Sequence, residues 1–194
     1  LIIGNSTIDG NLTLLSGGTI TDTDSSTVTV KGTLSATTDA SDSAITLNDL
    51  AVDGAFTLAP DGTGAVTIVN AAGLEFAALT VRGALSATAT TGNITQSGAL
   101  TITGTSTLVT SADNGTIDLK VSGITNAFTG KLLITTNDTG SETDGDVEID
   151  GGTTNLIIGL STIDGDLDLV SGGTITDDGI ATVRGTLSAT TDAS

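Results

Sequence analysis

The chain has 194 residues, of which 23 are acidic, five are basic and none is His or Cys, so its formal net charge is −18. Without His and Cys it cannot build the usual zinc, copper or haem sites, or a Cys–His or Ser–His nucleophile pair. The excess of acids predicts no binding to nucleic acid, and the lack of a long apolar run predicts no membrane insertion.

The sequence repeats itself over a long distance. Residues 1–22 recur at 156–177 with four differences, and GTLSATTDAS at 32–41 recurs unchanged at 185–194. The chain therefore begins and ends inside copies of one unit, which is typical of a segment from a longer array. We interpret residues 1–194 as a single segment in which 1–41 recurs at 156–194.

Two shorter motifs alternate between these copies. The first is an aliphatic residue or Phe, any residue, Gly, any residue and usually Leu or Phe; its glycines are Gly10, Gly32, Gly54, Gly83, Gly104, Gly130, Gly165 and Gly185. The second is a small residue, any residue, Ile or Val and a polar residue; it begins at Gly18, Ser43, Gly64, Gly92, Gly115, Gly145 and Gly173. Their fixed order predicts coils of about 20–30 residues, each with both motifs.

Within both motifs the apolar residues alternate with polar ones. In 27–36, TVTVKGTLSA, every second residue is apolar or Gly, a period that predicts half-buried β-strands. A coil of such strands has one apolar side and two open edges, so it is stable only when stacked on others. The sequence thus predicts an all-β, parallel β-solenoid that rises about 4.8 Å per coil. A β-sandwich is the alternative, although sandwiches do not repeat one two-motif coil.

Two segments resemble a known protein family. TGNITQSGALTI at 91–102 and GTLSATTDAS at 32–41 are similar to the repeats of filamentous-haemagglutinin-like giant surface proteins of bacteria. This resemblance implies a right-handed parallel β-helix in an extracellular or cell-surface protein. It also implies a role as an adhesin or as part of an extracellular fibre.

Most of the basic residues lie beside a first-motif glycine. If the coils stack in register, Asp9, Lys31, Asp53 and Arg82 form one column, and Asp164 and Arg184 repeat the alternation. Opposite charges on adjacent coils would pair and fix the register. We expect the Lys31 ammonium to lie between Asp9 and Asp53, within about 4 Å of at least one carboxylate. The predicted role of this charge ladder is structural.

One loop is rich enough in carboxylates to consider calcium. It contains Asp138, Glu142, Asp144 and Asp146, and Ca²⁺ prefers oxygen ligands of this kind. However, the spacing of an EF-hand is absent, and so is the Gly-Gly-x-Gly-x-Asp repeat of calcium-binding β-rolls. We therefore predict no cofactor and no built metal site, with calcium bound only loosely.

These features favour a structural segment of a long secreted or surface protein that forms a fibre or stalk. Its open strand edges would stack on further coils, so we expect coils of a neighbour or of the same longer chain to contact Leu1 and Ser194. The alternative is an adhesin that binds a surface partner, such as a glycan, through the solenoid wall. A polysaccharide-active enzyme would need paired carboxylates in a groove, but the acids are spread along the coils, so we expect no catalysis.

Overall fold

The chain folds into stacked parallel strands. The computed structural model describes residues 1–23, 26–137, 139–140 and 144–192. Within these ranges it contains strands and turns but no helix, and thus no helix long and apolar enough to cross a membrane. Each strand pairs in parallel with strands one coil away, and the stack makes about nine turns. The predicted parallel β-solenoid is therefore confirmed.

Three sheets form the walls of the solenoid. The thirteen strands of sheet 1 are β1 (Ile2–Ile3), β2 (Ser6–Ile8), β4 (Ile20–Asp22), β5 (Val28–Val30), β7 (Ile45–Val52), β9 (Val66–Asn70), β12 (Leu85–Ala89), β15 (Ser106–Asp113), β18 (Lys131–Asn137), β20 (Leu156–Ile158), β21 (Ser161–Ile163), β23 (Ile175–Asp177) and β24 (Ala181–Val183). The nine strands of sheet 2 are β3 (Leu12–Ser16), β6 (Leu34–Thr38), β8 (Phe56–Ala59), β10 (Leu74–Phe76), β13 (Ile94–Gln96), β16 (Ile117–Leu119), β19 (Val147–Asp150), β22 (Leu167–Ser171) and β25 (Leu187–Thr191). The three strands of sheet 3 are β11 (Leu79–Val81), β14 (Leu100–Ile102) and β17 (Ala127–Phe128).

The register of sheet 1 gives the length of each coil. Ile2 pairs with Thr21, 19 residues later, whereas Leu132 pairs with Ile158, 26 residues later. Seven pairings lead from β1 to β20, which carry the two copies of the long repeat. At about 4.8 Å per coil, the long repeat spans about 34 Å along the axis.

The core is a continuous aliphatic column between the sheets. In sheet 2, Leu34 stacks on Phe56 and Phe56 on Phe76, and all three side chains are fully buried. Alternate residues of each strand point inward because the pleat has a period of two, as the sequence pattern predicts. Each buried side chain of this size contributes about 1.5–3 kcal/mol through removal of apolar area from water. The stack therefore depends on every coil being covered by the next.

The two glycine motifs do not keep separate positions in the coil, and here the sequence-based assignment is wrong. Gly10, Gly32 and Gly54, from the first motif, precede strands of sheet 2. Gly83, also from the first motif, instead stacks on the second-motif Gly64, and both precede strands of sheet 1. In the last coils Gly165 and Gly185 again precede sheet 2.

There is a physical reason why the two motifs can take each other's position in the coil. Both motifs supply a glycine, or Ser43 in one copy of the second motif, two residues before the first inward aliphatic side chain. Each corner of the coil accepts such a small residue, so either motif fits either corner. Two strands begin without either motif, at residues 72–74 and 154–156. Each shifts the following motifs by half a coil relative to the sheets. They lie within the two longest spacings of the first motif, between Gly54 and Gly83 and between Gly130 and Gly165.

Candidate functional site

The charge column of the first coils contains one close ion pair. Backbone hydrogen bonds from Lys31 to Ile8 and from Asp53 to Val30 place Lys31 on the coil between Asp9 and Asp53. The Lys31 Nζ lies 3.1 Å from the Asp53 Oδ2, and both side chains are about half exposed. Such an exposed pair contributes only a few tenths of a kcal/mol, so it can influence register more than stability.

The structure also brings together Asp164 and Arg184, on the last two coils. The Arg184 Nε lies 3.1 Å from the Asp164 Oδ1, whose side chain is only 12% exposed. Gly165 and Gly185 stack directly beside this pair, as Gly32 and Gly54 do beside Lys31 and Asp53.

Arg82 is not part of the column, contrary to the sequence-based prediction. It precedes Gly83, and because Gly83 stacks on Gly64, Arg82 follows Thr63 rather than Asp53. The position after Asp53 in its own column is Gly73, because Phe76 pairs with Phe56 in sheet 2 and the same offset of 20 residues takes Asp53 to Gly73. The ladder therefore ends at Asp53, and the cause is the half-coil shift at 72–74.

Two further ion pairs were not predicted, and each spans two coils. Lys120 contacts Asp168, and the Lys131 Nζ lies 2.6 Å from the Asp178 Oδ2. The hydrogen bond from Lys120 lowers the pKa of Asp168, and the same bond raises the pKa of Lys120. These partners are 47 or 48 residues apart, a separation that no local pattern indicates.

The acidic loop is only partly described. Asp138 and Glu142 lie outside the described residues, and Asp144 is exposed at the end of the gap. Asp146 has a structural contact, because its Oδ1 accepts a hydrogen bond from the Asp166 backbone N–H at 2.8 Å. Among the described residues no group of three or more carboxylates is arranged to hold a metal ion. Loosely bound calcium stays a prediction.

The Asp146 contact is one example of a recurring hydrogen bond between coils that the sequence interpretation missed. In seven places an Asn or Asp side-chain oxygen accepts the backbone N–H of the residue stacked on it one coil later. The pairs are Asn5–Thr27, Asn11–Thr33, Asp42–Thr63, Asn93–Thr116, Asp146–Asp166, Asn155–Thr174 and Asp166–Thr186. For Asp42 this hydrogen bond lowers the pKa of the carboxyl group. In four of the seven places the sequence carries a detectable signal, an Asn or Asp between a motif glycine and its aliphatic residue; these are Asn11, Asn93, Asp146 and Asp166.

A buried amide cluster joins three coils in the middle of the stack. The Asn126 Oδ1 accepts the Leu100 N–H at 2.9 Å. The Asn126 Nδ2 lies 3.0 Å from each of three acceptors, the Gln96 Oε1 and the carbonyl oxygens of Leu119 and Asp150. Gln96 occupies an inward position of sheet 2, and its Nε2 has no partner among the described residues. Gln at an inward position of Ile94-Thr95-Gln96 is the signal that the sequence offered.

The two ends of the stack expose residues that are covered elsewhere. GTLSATTD occurs at 32–39 and at 185–192; Leu34 of the first copy is fully buried, whereas Leu187 of the second is 60% exposed. The difference arises because β6 lies between β3 and β8, whereas β22 is the one strand paired with β25 in the part of the chain that the structure describes. At the other end Leu1 is 50% exposed, and its counterpart Leu156 is fully buried.

The glycine of the first coil shows the same contrast. A Cβ on Gly10 would have no atom within 4 Å, whereas a Cβ on its counterpart Gly165 would lie 2.4 Å from the Asp146 Oδ1. In the interior copy this face is therefore in close contact with the preceding coil. Interior copies of the sequence are covered by a coil on these faces, whereas the copies in the first and last coils leave them exposed.

A groove of about 580 Å³ crosses the solenoid wall where sheet 3 begins. Ala59 and Pro60 line it from one coil, Ala78 and Thr80 from the next and Ala99 from the third, while Arg82 lies at its rim. No carboxylate is among the lining residues that the structure describes. The groove therefore presents one cationic side chain, the hydroxyl groups of its threonines and several small side chains.

Comparison with known proteins identifies the chain as a repeat protein. The model of the DUF5649 family, described as repeats of unknown function, matches residues 1–60, 63–135 and 144–194. The chain belongs to this family. No curated protein and no solved structure matches it. For this DUF5649 chain the family match and the stacked coils agree on a repeat architecture.

Proposed function

We propose that this DUF5649 chain is a structural segment of a longer secreted or cell-surface protein, where its stacked coils form part of a fibre or stalk. Its likeness to filamentous-haemagglutinin-like repeats supports this role and, with it, a right-handed coil and an extracellular location. The segment acts without catalysis and without a bound cofactor. Its strongly acidic surface keeps the fibre soluble and excludes nucleic acid as a partner.

One observation carries the proposal: the same sequence is buried inside the stack and exposed at its end. Leu34 is fully buried between coils and Leu187, in an identical octapeptide, is 60% exposed. Covering Leu187 with one more coil would remove its apolar area from water and pair the free edge of β25. The partner of each end is another coil, from the same longer chain or from a second molecule.

An adhesin that binds through its wall is the second candidate. The groove beside Arg82 favours it, because grooves of this volume are common at binding sites. The two roles are compatible, since a stalk can present a site on its side.

Assembly through the ends can be tested with one pair of matched substitutions. Leu187→Asp places a charge on the open face of the last coil, whereas Leu160→Asp places one on the wall, at a leucine that is 66% exposed. We expect the unmodified chain to form rods or filaments, seen by electron microscopy and as a mass increase in light scattering. Leu187→Asp should abolish them, because a carboxylate cannot be buried unpaired between coils. Leu160→Asp should leave them intact.

The substitution Gly10→Ala tests the opposite end. It is accommodated in the isolated chain but would clash with a coil stacked on that face, as its counterpart Gly165 indicates. Equal loss of rods in Leu187→Asp and Leu160→Asp would contradict the proposal. So would a chain that stays monomeric at every concentration with both ends uncovered.

A further inference from the structure

Sheet 3 begins at an edge strand in the middle of the solenoid. β11 pairs with β14, and none of the described strands pairs with it on the side of the preceding coil. The Leu79 N–H donates to Ala99 and the Val81 carbonyl accepts from Thr103. In a parallel ladder the groups of alternate residues point to opposite sides, so the Thr80 N–H and C=O face the unpaired edge.

The preceding coil packs its strand β8 against β11 and then turns away. Four residues of that coil, Thr57, Leu58, Ala59 and Pro60, line the groove; Pro60 has no N–H to donate, and the turn continues through Gly62 with a φ of +58°. The groove of about 580 Å³ lies in front of this edge, with Ala59 and Ala78 in its floor. Both small side chains leave the backbone accessible.

Arg82 gives the groove a positive charge, and it differs from the other four basic residues in its ion pairing. Lys31, Lys120, Lys131 and Arg184 each contact a carboxylate. Arg82, by contrast, is exposed and forms no ion pair with any residue that the structure describes. On a chain with a net charge of −18, an uncompensated guanidinium at a groove is complementary to an anion, and Arg binds carboxylates with particular geometric specificity.

We propose that the β11 edge and Arg82 form a binding site for an extended acidic peptide, which adds a strand beside β11 and pairs a carboxylate with Arg82. An extended peptide matches the main-chain groups of a free edge, which is a recurring mode of peptide recognition. A sugar is disfavoured because no aromatic side chain lines the groove. The site lies inside the stack, so it does not depend on assembly through the ends.

The test uses the isotope-labelled full chain and two synthetic peptides. One is a capped pentapeptide of alternating Thr and Val that ends in Asp, and the other ends in Asn. In NMR titrations we expect shift changes at the amides of Thr80 and Arg82 with both peptides. The Asp peptide should bind about two- to fivefold more tightly, the usual range for an exposed ion pair.

Three variants separate the two parts of the site. Arg82→Gln should remove the preference for the Asp peptide while both peptides still bind. Thr80→Pro removes the free N–H but none of the pairing with β14, so both peptides should bind about two- to tenfold more weakly. Arg184→Gln, which changes an ion-paired arginine elsewhere, should bind like the unmodified chain. Circular dichroism checks that each variant is folded.

The proposal is overturned if neither peptide changes the Thr80 and Arg82 amides at millimolar concentration. It is also overturned if Arg82→Gln and Arg184→Gln weaken the Asp peptide equally, because the effect would then be one of net charge. A galacturonate trisaccharide serves as the competing probe. If it shifts the same amides and the peptides do not, the groove binds acidic glycans and not peptides.

Discussion

At the scale of single residues, the buried amides of Asn126 and Gln96 differ in how fully they are hydrogen-bonded. The Asn126 side chain accepts a hydrogen bond from Leu100 on one coil. It donates to the carbonyl oxygens of Leu119 and Asp150 on others. Its Nδ2 has two hydrogens but three acceptors at 3.0 Å, so both hydrogens can still be bonded when the Gln96 Oε1 is removed.

We therefore expect opposite results from two substitutions. Asn126→Ala should lower the free energy of unfolding by about 2–5 kcal/mol, because it leaves buried backbone groups without partners. Gln96→Leu should leave it unchanged within about 1 kcal/mol or raise it, because it removes an unpaired buried amide and completes the apolar column. Urea unfolding of both variants measures the difference. Equal destabilisation would show that Gln96 is needed to orient Asn126.

The sequence could predict one of these residues and not the other. Gln96 has the inward parity of its strand, and that is visible in Ile94-Thr95-Gln96. Asn126 lies just before β17, in a segment with no clear alternation. Its burial follows from three coils that meet around it, a fact that appears only when the stack is built.

At the scale of strands and corners, a motif glycine is required where the backbone of the preceding coil approaches it closely. A Cβ on Gly54 would lie 2.6 Å from the carbonyl oxygen of Gly32, closer than side chains and backbone can pack. The same motif glycine in the first coil, Gly10, faces open space. The same motif glycine therefore tolerates a larger side chain in the first coil but not in a coil that another coil covers.

This contrast gives a matched pair of variants. Gly54→Ala should lower stability by at least about 1–3 kcal/mol, because backbone must move to relieve the overlap. Gly10→Ala should change it by less than about 0.5 kcal/mol in the monomeric chain. Thermal unfolding followed by circular dichroism measures both. A large loss for Gly10→Ala under monomeric conditions would mean that its corner is strained for some other reason.

At the scale of the whole molecule, the apolar ends and the acidic surface have opposite effects on association between segments. The end coils expose Leu1 and Leu187, whose burial favours association. The net charge of −18 on each segment opposes it by mutual repulsion. The proposed assembly should therefore depend on how strongly dissolved salt screens the charge.

We expect association through the ends to increase with ionic strength. Raising salt from about 0.01 M to about 1 M shortens the Debye length from about 30 Å to about 3 Å, and the repulsion falls with it. Sedimentation at several salt concentrations should show larger species as salt rises, while Leu187→Asp should stay monomeric throughout. Dissociation on adding salt would instead indicate that ion pairs hold the segments together.

The sequence by itself determined the architecture. A period of two in the motifs and their recurrence along 194 residues require strands with one apolar side, and such strands are stable only in a stack. It also indicated that Lys31 and Asp53 belong to successive coils, because each directly precedes a first-motif glycine and these two glycines are successive copies of the motif. These results depend on local pattern and on the covalent order of the chain.

Only the tertiary structure decided which corner each motif occupies beyond Gly54. Both motifs satisfy the same steric requirement, so the sequence cannot distinguish them once the coil length changes at 72–74 and 154–156. That shift removes Arg82 from the charge ladder and places it at the groove. It likewise sets the contacts of Lys120 and Lys131 across two coils. Contacts between coils depend on accumulated register, and register is a property of the whole stack.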